Sequence, residues 1–145
     1  MFIDSIRLQN FRTFRETEIS FVHPDQDFKK LGLPKPRLPN INLLLGNNGW
    51  GKTTLLKAIA LAAFGPARPL ERYADAGYFV RREPGSTQRG VSDTALVEAS
   101  FTVHPQDKVS AEITHLESRI EVKRKGDSEQ FNWGKPNTDN WDPIF

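Results

Sequence analysis

The sequence predicts an α/β fold in which a strand, a glycine-rich loop and a helix form a core joined to an antiparallel β-meander. Two observations support this prediction. A short apolar run at residues 41–45 leads into the glycine-rich residues 46–53, and apolar residues at helical spacing follow over residues 53–64. Further along, residues 95–134 contain short alternating segments separated by turns, which is typical of antiparallel strands.

The N-terminal part is predicted to contain two short strands joined by a turn. Residues 2–8 form the first strand, and residues 17–21 form the second, where apolar and polar residues alternate. Prolines interrupt residues 22–39, and each proline removes a backbone donor. This third segment is therefore predicted to be a loop.

The central unit is predicted to run from strand to loop to helix. Residues 41–45 suit a strand that is buried on both faces, as a parallel sheet requires. In the predicted helix, Leu55, Leu56 and Ile59 fall at helical spacing, and a Gly-Pro pair ends the helix at residues 65–66.

The second half of the chain is predicted to be a long connection followed by the meander. Residues 67–94 have no clean period and are rich in arginine, glycine and proline, so they are predicted to connect the two parts with at most one helical turn. The meander strands are predicted at residues 96–103, 109–114, 119–123 and 130–133. The predicted organisation of the chain is residues 1–66, 67–94 and 95–134.

Composition excludes several classes of protein. The hydrophobic fraction of 37% and the charged fraction of 26% are those of an ordinary globular domain. There is no cysteine, which excludes disulfides and thiolate metal sites, and the three histidines are scattered. No stretch approaches the ~20 apolar residues that a membrane-spanning helix needs. We expect a cytoplasmic protein with no membrane partner and no structural metal.

The glycine-rich loop carries the chemistry. It matches the pattern G-x-x-x-x-G-K-[ST] at every fixed position and lies between a predicted strand and a predicted helix, which is the context that the pattern needs. Glycines let the backbone approach anionic oxygens, while N–H groups and the helix N-terminus point partial positive charge at them. The predicted phosphate-binding residues are Gly46, Asn47, Asn48, Gly49, Trp50, Gly51, Lys52, Thr53 and Thr54.

Individual loop residues have different predicted roles. The Lys52 ammonium is suited to the β- and γ-phosphates of a triphosphate, and the Thr53 hydroxyl is suited to Mg²⁺, which prefers oxygen ligands. Thr54 begins the helix. Trp50 either covers the nucleotide or packs on a neighbouring subdomain, and we favour packing because aromatic side chains mostly supply buried area.

The same region resembles a known family. The Asn10-Phe11-Arg12 element, a second strand and the Gly46–Thr53 motif follow one another as in the N-terminal lobe of ABC-type P-loop ATPases related to RecF, Rad50 and SMC proteins. The resemblance covers the chain up to the end of the predicted helix, and the later meander is compatible with the antiparallel subdomain of such lobes.

This resemblance implies that ATP and Mg²⁺ are the cofactors and that Arg12 lies near the nucleotide. Pairing of Arg12 with Glu16 or Glu18 is the alternative. The Walker B carboxylates and the signature motif that the family needs for hydrolysis are not found in residues 1–145, so the catalytic residues are unknown. We therefore expect an incomplete N-terminal lobe that is completed by a second lobe, downstream or in trans, within dimeric heads or a larger assembly.

Two functions remain open at this point. The first is an ATPase that drives a nucleic-acid-associated switch or motor in DNA repair, chromosome maintenance or anti-phage defence, as the resemblance implies. The second is a module that binds a nucleotide without hydrolysis and organises an assembly. Arginines in residues 67–94 are suited to nucleic-acid phosphates, but interleaved carboxylates are equally suited to pairing with them.

Overall fold

Five strands and one helix make up the described fold. The computed structural model describes residues 1–64, 79–82, 93–104, 106 and 113–134. The strands form one sheet in the order β2-β1-β3-β4-β5, and every neighbouring pair is antiparallel. In chain order the elements are β1 (Phe2–Phe11), β2 (Phe14–Ser20), α1 (Lys52–Phe64), β3 (Thr94–Thr102), β4 (His115–Lys125) and β5 (Ser128–Trp133).

The fold class is α/β, as predicted, and the meander of β3, β4 and β5 is present. The N-terminal hairpin of β1 and β2 joins the meander in the same sheet, because β1 pairs with β3 along most of its length. Part of the predicted connection, residues 67–78 and 83–92, lies outside the described residues.

The core lies on one face of this sheet. Side chains of a strand alternate between its two faces, and every second residue of β3 is buried. Ile6 and Leu8 of β1 and Ile120 and Val122 of β4 are fully buried on the same face. Full burial of one such side chain stabilises the fold by about 2 kcal/mol. This face therefore sets the register of the central strands.

The helix α1 covers the buried face. Its buried residues recur at helical spacing, and it packs against β3 and β4. The packed side chains are Thr54, Leu55, Ala58, Leu61 and Ala62. Because this packing fixes the helix, it also fixes the loop that precedes the helix N-terminus.

The opposite face of the sheet is polar. Arg7 donates a hydrogen bond to Glu16 at 3.1 Å, and Arg119 donates one to Glu98 at 2.7 Å. The hydrogen bond to Glu16 raises the pKa of the exposed Arg7 guanidinium. Within each pair the opposite charges neutralise each other at the surface, where single ion pairs contribute little to stability.

The predicted loop after β2 is confirmed, and one side chain closes it. The Asn42 amide donates to Val22 O at 2.8 Å and accepts from Val22 N–H at 2.9 Å. Inside the loop, Phe28 is buried, and His23 lies 2.6 Å from the Asp4 carboxylate. Asn42 therefore takes the place of a backbone bridge between the two ends of the loop.

We expect Asn42→Ala to lower the free energy of unfolding by about 1 kcal/mol, because two hydrogen bonds to the backbone of Val22 are lost. Urea denaturation followed by circular dichroism measures this change. Asn40→Ala is the matched control, since Asn40 is exposed and should change stability by less than about 0.5 kcal/mol. Equal stability of the two variants would contradict the prediction.

The strand predicted at residues 41–45 differs from the structure. These residues precede the loop without strand pairing, and a strand is defined by its hydrogen-bonded neighbour. Leu44 packs against the core, whereas Ile41, Leu43 and Leu45 are 47%, 78% and 88% exposed. The burial on both faces that the sequence predicts for residues 41–45 is therefore not observed.

The middle of the meander also differs from the sequence prediction. Two strands are predicted at residues 109–114 and 119–123, but β4 is one strand. Leu116, Ile120 and Val122 share its buried face, so alternation continues through the predicted break. Residues 109–112 lie outside the described residues. Among the described helices, none is long and apolar enough to cross a membrane.

Candidate functional site: a phosphate-binding loop

The loop of residues 46–53 has the backbone that its glycines predict. Gly49 and Gly51 have φ angles of +87° and +89°, a conformation that L side chains rarely adopt. The loop turns through these two positions and enters α1 at Lys52. Most of its residues, from Gly46 to Trp50, are exposed. The loop backbone is therefore accessible to an anionic ligand.

The first N–H groups of α1 lie next to this loop and have no partner within the helix. The first helical hydrogen bond joins Leu55 N–H to Gly51 O at 2.8 Å. The N–H groups of Lys52, Thr53 and Thr54 therefore precede the helical hydrogen-bond ladder. The helix dipole adds partial positive charge at the same end. This arrangement favours an anion at the loop.

Lys52 folds over the loop. Its ammonium donates to the carbonyl oxygens of Gly46 and Asn47, the second at 2.9 Å. The cation thus lies at the mouth of the loop, held by neutral acceptors that a phosphate would outcompete. The next two side chains point differently, because Thr53 is exposed whereas Thr54 is buried at 8% exposure. The Thr53 side chain is therefore available to a ligand, and the Thr54 side chain is buried.

Trp50 is placed differently from the packing that we favoured. Its side chain is 70% exposed, and its described contact is with Gly46, whose added Cβ would lie 3.6 Å from the indole. Packing on a neighbouring subdomain is therefore wrong for the described part of the chain. The indole therefore lies on the exposed surface of the loop, beside the exposed backbone of residues 46–49.

The loop rests on the turn between β1 and β2. A Cβ added to Gly51 would lie 2.7 Å from Thr13 Oγ1 and 2.8 Å from Phe14 Cζ. Such distances are too short for real contacts, so a side chain at this position would displace Thr13 and Phe14 and would also hold an unfavourable φ angle. Gly51 thus joins the loop directly to the Asn-Phe-Arg element of the sequence, which ends in the same turn.

Arg12 lies in this turn with a strained backbone. Its φ angle is +49°, and its N–H donates to Phe79 O at 2.7 Å. Its guanidinium lies 5.9 Å from the centroid of the Phe79 ring, a cation–π contact. Glu16 is paired with Arg7. Proximity of Arg12 to a nucleotide stays a prediction.

The sequence did not reveal the segment that holds the turn. Residues 79–82, which we call the strap, run beside the turn, and Val80 forms a bridge with Phe11. Phe79 and Val80 are buried at 4% and 1% exposure. The only signal was an apolar pair in an otherwise irregular, arginine-rich stretch, and no periodicity distinguishes such a pair.

The residues present fit a nucleotide with Mg²⁺. The loop offers backbone donors, one ammonium and one exposed hydroxyl, which are the groups that phosphates and a hard cation prefer. Among the described residues, no cluster of three or more His, Cys, Asp or Glu side chains is arranged to hold a metal ion on its own. Any Mg²⁺ here would therefore share the phosphate oxygens of the nucleotide.

Similar sequences are DNA replication and repair proteins named RecF. The protein from Idiomarina loihiensis is 40% identical over 65 residues, which are 45% of this chain and 14% of RecF. That from Magnetococcus marinus is 32% identical over 96 residues, or 62% and 21% of the two chains. That from Listeria welshimeri is 26% identical over 119 residues, or 82% and 28%. The chain spans less than a third of the length of these relatives.

A solved structure shares the fold. It comes from work on ATP-driven dimerization and DNA stimulated activation of SMC ATPases, with a TM-score of 0.57, 17% identity, and coverage of 95% of this chain and 73% of the other. A family model described as an AAA domain, AAA_23, matches residues 5–141. These findings support the resemblance to the N-terminal segment of RecF/Rad50/SMC-like ABC-type P-loop ATPases. By the family model, the chain belongs to the AAA_23 family of AAA domains.

Proposed function

We propose that this chain binds Mg-ATP at residues 46–53. The carrying observation is the geometry of the loop, in which Gly49 and Gly51 turn the backbone, α1 presents its first donors, and Lys52 lies over the loop carbonyls. Membership of the AAA_23 family supports ATP over other phosphate ligands. Bound Mg²⁺ would neutralise charge on the phosphates and hold their oxygens in place.

Each loop residue has a defined part in this proposal. Lys52 exchanges its carbonyl acceptors for the β- and γ-phosphates, and the backbone donors around Gly49 bind the phosphate oxygens. The Thr53 hydroxyl coordinates Mg²⁺. Trp50, exposed at the crest of the loop, contacts either the nucleotide or a protein surface that closes over it. Arg12 binds the nucleotide from the neighbouring β1–β2 turn.

A second lobe completes the site for hydrolysis in this proposal. Two observations support it. The exposed aliphatic row of Ile41, Leu43 and Leu45 leads into the loop and needs an apolar cover, because contiguous exposed aliphatic side chains mark contact surfaces. The RecF relatives are also more than three times as long as the region that they share with this chain. The covering lobe would supply the Walker B carboxylates and the signature motif.

The work that hydrolysis drives would be nucleic-acid-associated. The RecF relatives are named for DNA replication and repair, and the work on the SMC structural neighbour concerns dimerization and DNA stimulation. We therefore propose that two heads close on ATP and reopen after hydrolysis, in DNA repair, chromosome maintenance or anti-phage defence. A cytoplasmic location is part of the same proposal.

One observation favours the second candidate, a nucleotide-dependent module without hydrolysis. Within the described residues, the loop contacts Thr13, Phe14 and its own backbone, and none of these contacts involves a carboxylate. A general base for water therefore has to come from elsewhere in the assembly. The two candidates differ in turnover of bound ATP by the full-length protein.

Isothermal titration of the full-length protein with ATP and with GTP, each with Mg²⁺ and with EDTA, tests the proposed function. We expect saturable ATP binding with one site per chain, weaker binding in EDTA, and release of phosphate in the same sample. Binding without phosphate release would support the second candidate. Absence of any nucleotide binding would overturn both.

We expect Thr53→Ala to remove most of the dependence of ATP affinity on Mg²⁺, with about tenfold weaker binding when Mg²⁺ is present. The reason is that Thr53 carries the only side-chain hydroxyl in residues 46–53, and this hydroxyl is exposed where α1 leaves the loop. Thr53→Ser keeps the hydroxyl and is expected to restore the dependence. An unchanged Mg²⁺ response in Thr53→Ala would exclude this residue as a ligand.

A further inference from the structure

The strap forms three hydrogen bonds with backbone groups of residues 10–13, at the β1–β2 turn. Arg12 N–H donates to Phe79 O at 2.7 Å, and Arg81 N–H donates to Asn10 O at 2.7 Å. The Arg81 guanidinium donates to Thr13 O, also at 2.7 Å. Asn10 and Arg12 both have φ angles of +49°, so these bonds hold the turn in a conformation that costs free energy.

Two charged side chains of the β4–β5 hairpin, Glu129 and Arg124, bind the strap from its other side. The Glu129 carboxylate accepts from Phe79 N–H at 2.6 Å and from Val80 N–H at 3.0 Å. The Arg124 guanidinium donates to Arg81 O at 2.9 Å. Arg124 and Glu129 are directly opposite each other in the β-ladder, so one pair of neighbouring side chains binds both donors and an acceptor of the strap.

These contacts form a continuous connection from the hairpin to the phosphate-binding loop. The hairpin holds the strap, the strap holds the turn, and Thr13 and Phe14 of the turn contact Gly51. We propose that Glu129 and Arg124 are positioning residues for the nucleotide site, which fix the turn against the loop without touching the nucleotide. This inference rests on the proposed binding of ATP at the loop.

Substitution of Glu129 tests the inference in the full-length protein. Glu129→Gln keeps the shape but offers one acceptor in place of two, so one buried N–H of the strap loses its partner. We expect ATP affinity to fall about tenfold. Glu98→Gln is the matched control, because it removes one carboxylate and its ion pair from the polar face of the same sheet, and ATP affinity should stay unchanged.

Amide hydrogen exchange, measured by mass spectrometry, separates positioning from general destabilisation. In Glu129→Gln we expect faster exchange in peptides that contain the strap and in those that contain Arg12 and Thr13, with the β1–β3 ladder unchanged. If Glu129→Gln lowers global stability, Glu129→Asp, which keeps the charge on a shorter side chain, should show the same local pattern with a smaller loss of affinity.

The outcomes distinguish the two proposals. Wild-type affinity in Glu129→Gln, together with faster exchange of the strap, would overturn the positioning role and leave ATP binding intact. Faster exchange confined to the strap, with the Arg12 region unchanged, would also overturn it. Failure of the wild-type protein to bind ATP would overturn the proposed function, and this inference with it.

Discussion

Lys52→Ala is expected to weaken ATP binding about a hundredfold, because an ammonium that bonds to charged phosphates contributes roughly 3 kcal/mol through two charge-assisted hydrogen bonds. In the structure this ammonium is already placed over the loop, where it donates to Gly46 O and Asn47 O. The loss should fall on the triphosphate more than on the diphosphate. Titration with ATP and ADP measures both.

Lys57→Ala is the control for this prediction, since Lys57 is a partly exposed lysine further along the same helix. It removes the same charge and should change ATP affinity by less than about twofold. The free energy of unfolding should change by less than about 1 kcal/mol in either variant, because neither side chain belongs to the core. Comparable ATP affinities in the two variants would refute the role of Lys52.

Gly51→Ala is expected to lower the free energy of unfolding by about 3 kcal/mol and to impair ATP binding. Two effects add: a side chain at a φ angle of +89° costs roughly 1–2 kcal/mol, and overlap with Thr13 and Phe14 costs a further 1–2 kcal/mol. The overlap is with the ends of the Thr13 and Phe14 side chains, which must move to make room for the methyl group. Urea denaturation gives the stability, and titration gives the affinity.

Gly49→Ala isolates the first of these effects. Gly49 has almost the same φ angle, +87°, but nothing lies within 4 Å of an added Cβ. We expect it to lose only the conformational part, about 1–2 kcal/mol. The difference between the two variants therefore measures the contact between the loop and the turn. Equal destabilisation would mean that Thr13 and Phe14 give way without cost, and would contradict the prediction.

The regular elements were predictable because their signals are local. Alternation in β3, turn residues after Lys125 and helical spacing after Lys52 each depend on a few neighbouring residues, and the structure places strands, a turn and a helix there. The glycine-rich motif was predictable for the same reason. The positive φ angles of its backbone require glycine, and the glycines are visible in the sequence.

Features that depend on distant residues were not predictable. The apolar residues at 41–45 predict a buried strand, but a strand needs a neighbour, and the described residues supply none. Trp50 was expected to pack, yet its exposure depends on which surface lies opposite the loop. The bonds from Glu129 to the strap link residues far apart in sequence, and neither end carries a pattern that identifies the other.

The order of strands in the sheet also affects synthesis of the protein. The central pairing joins β1 to β3, so that Phe2 lies opposite Thr102. The phosphate-binding loop and α1 therefore leave the ribosome before β3 and β4, the strands against which α1 packs. Pairings between distant segments form slowly, because the intervening chain must first be ordered. Until β3 and β4 are made, the apolar face of α1 is thus unprotected, and premature chain termination between α1 and β3 would leave a product that exposes it.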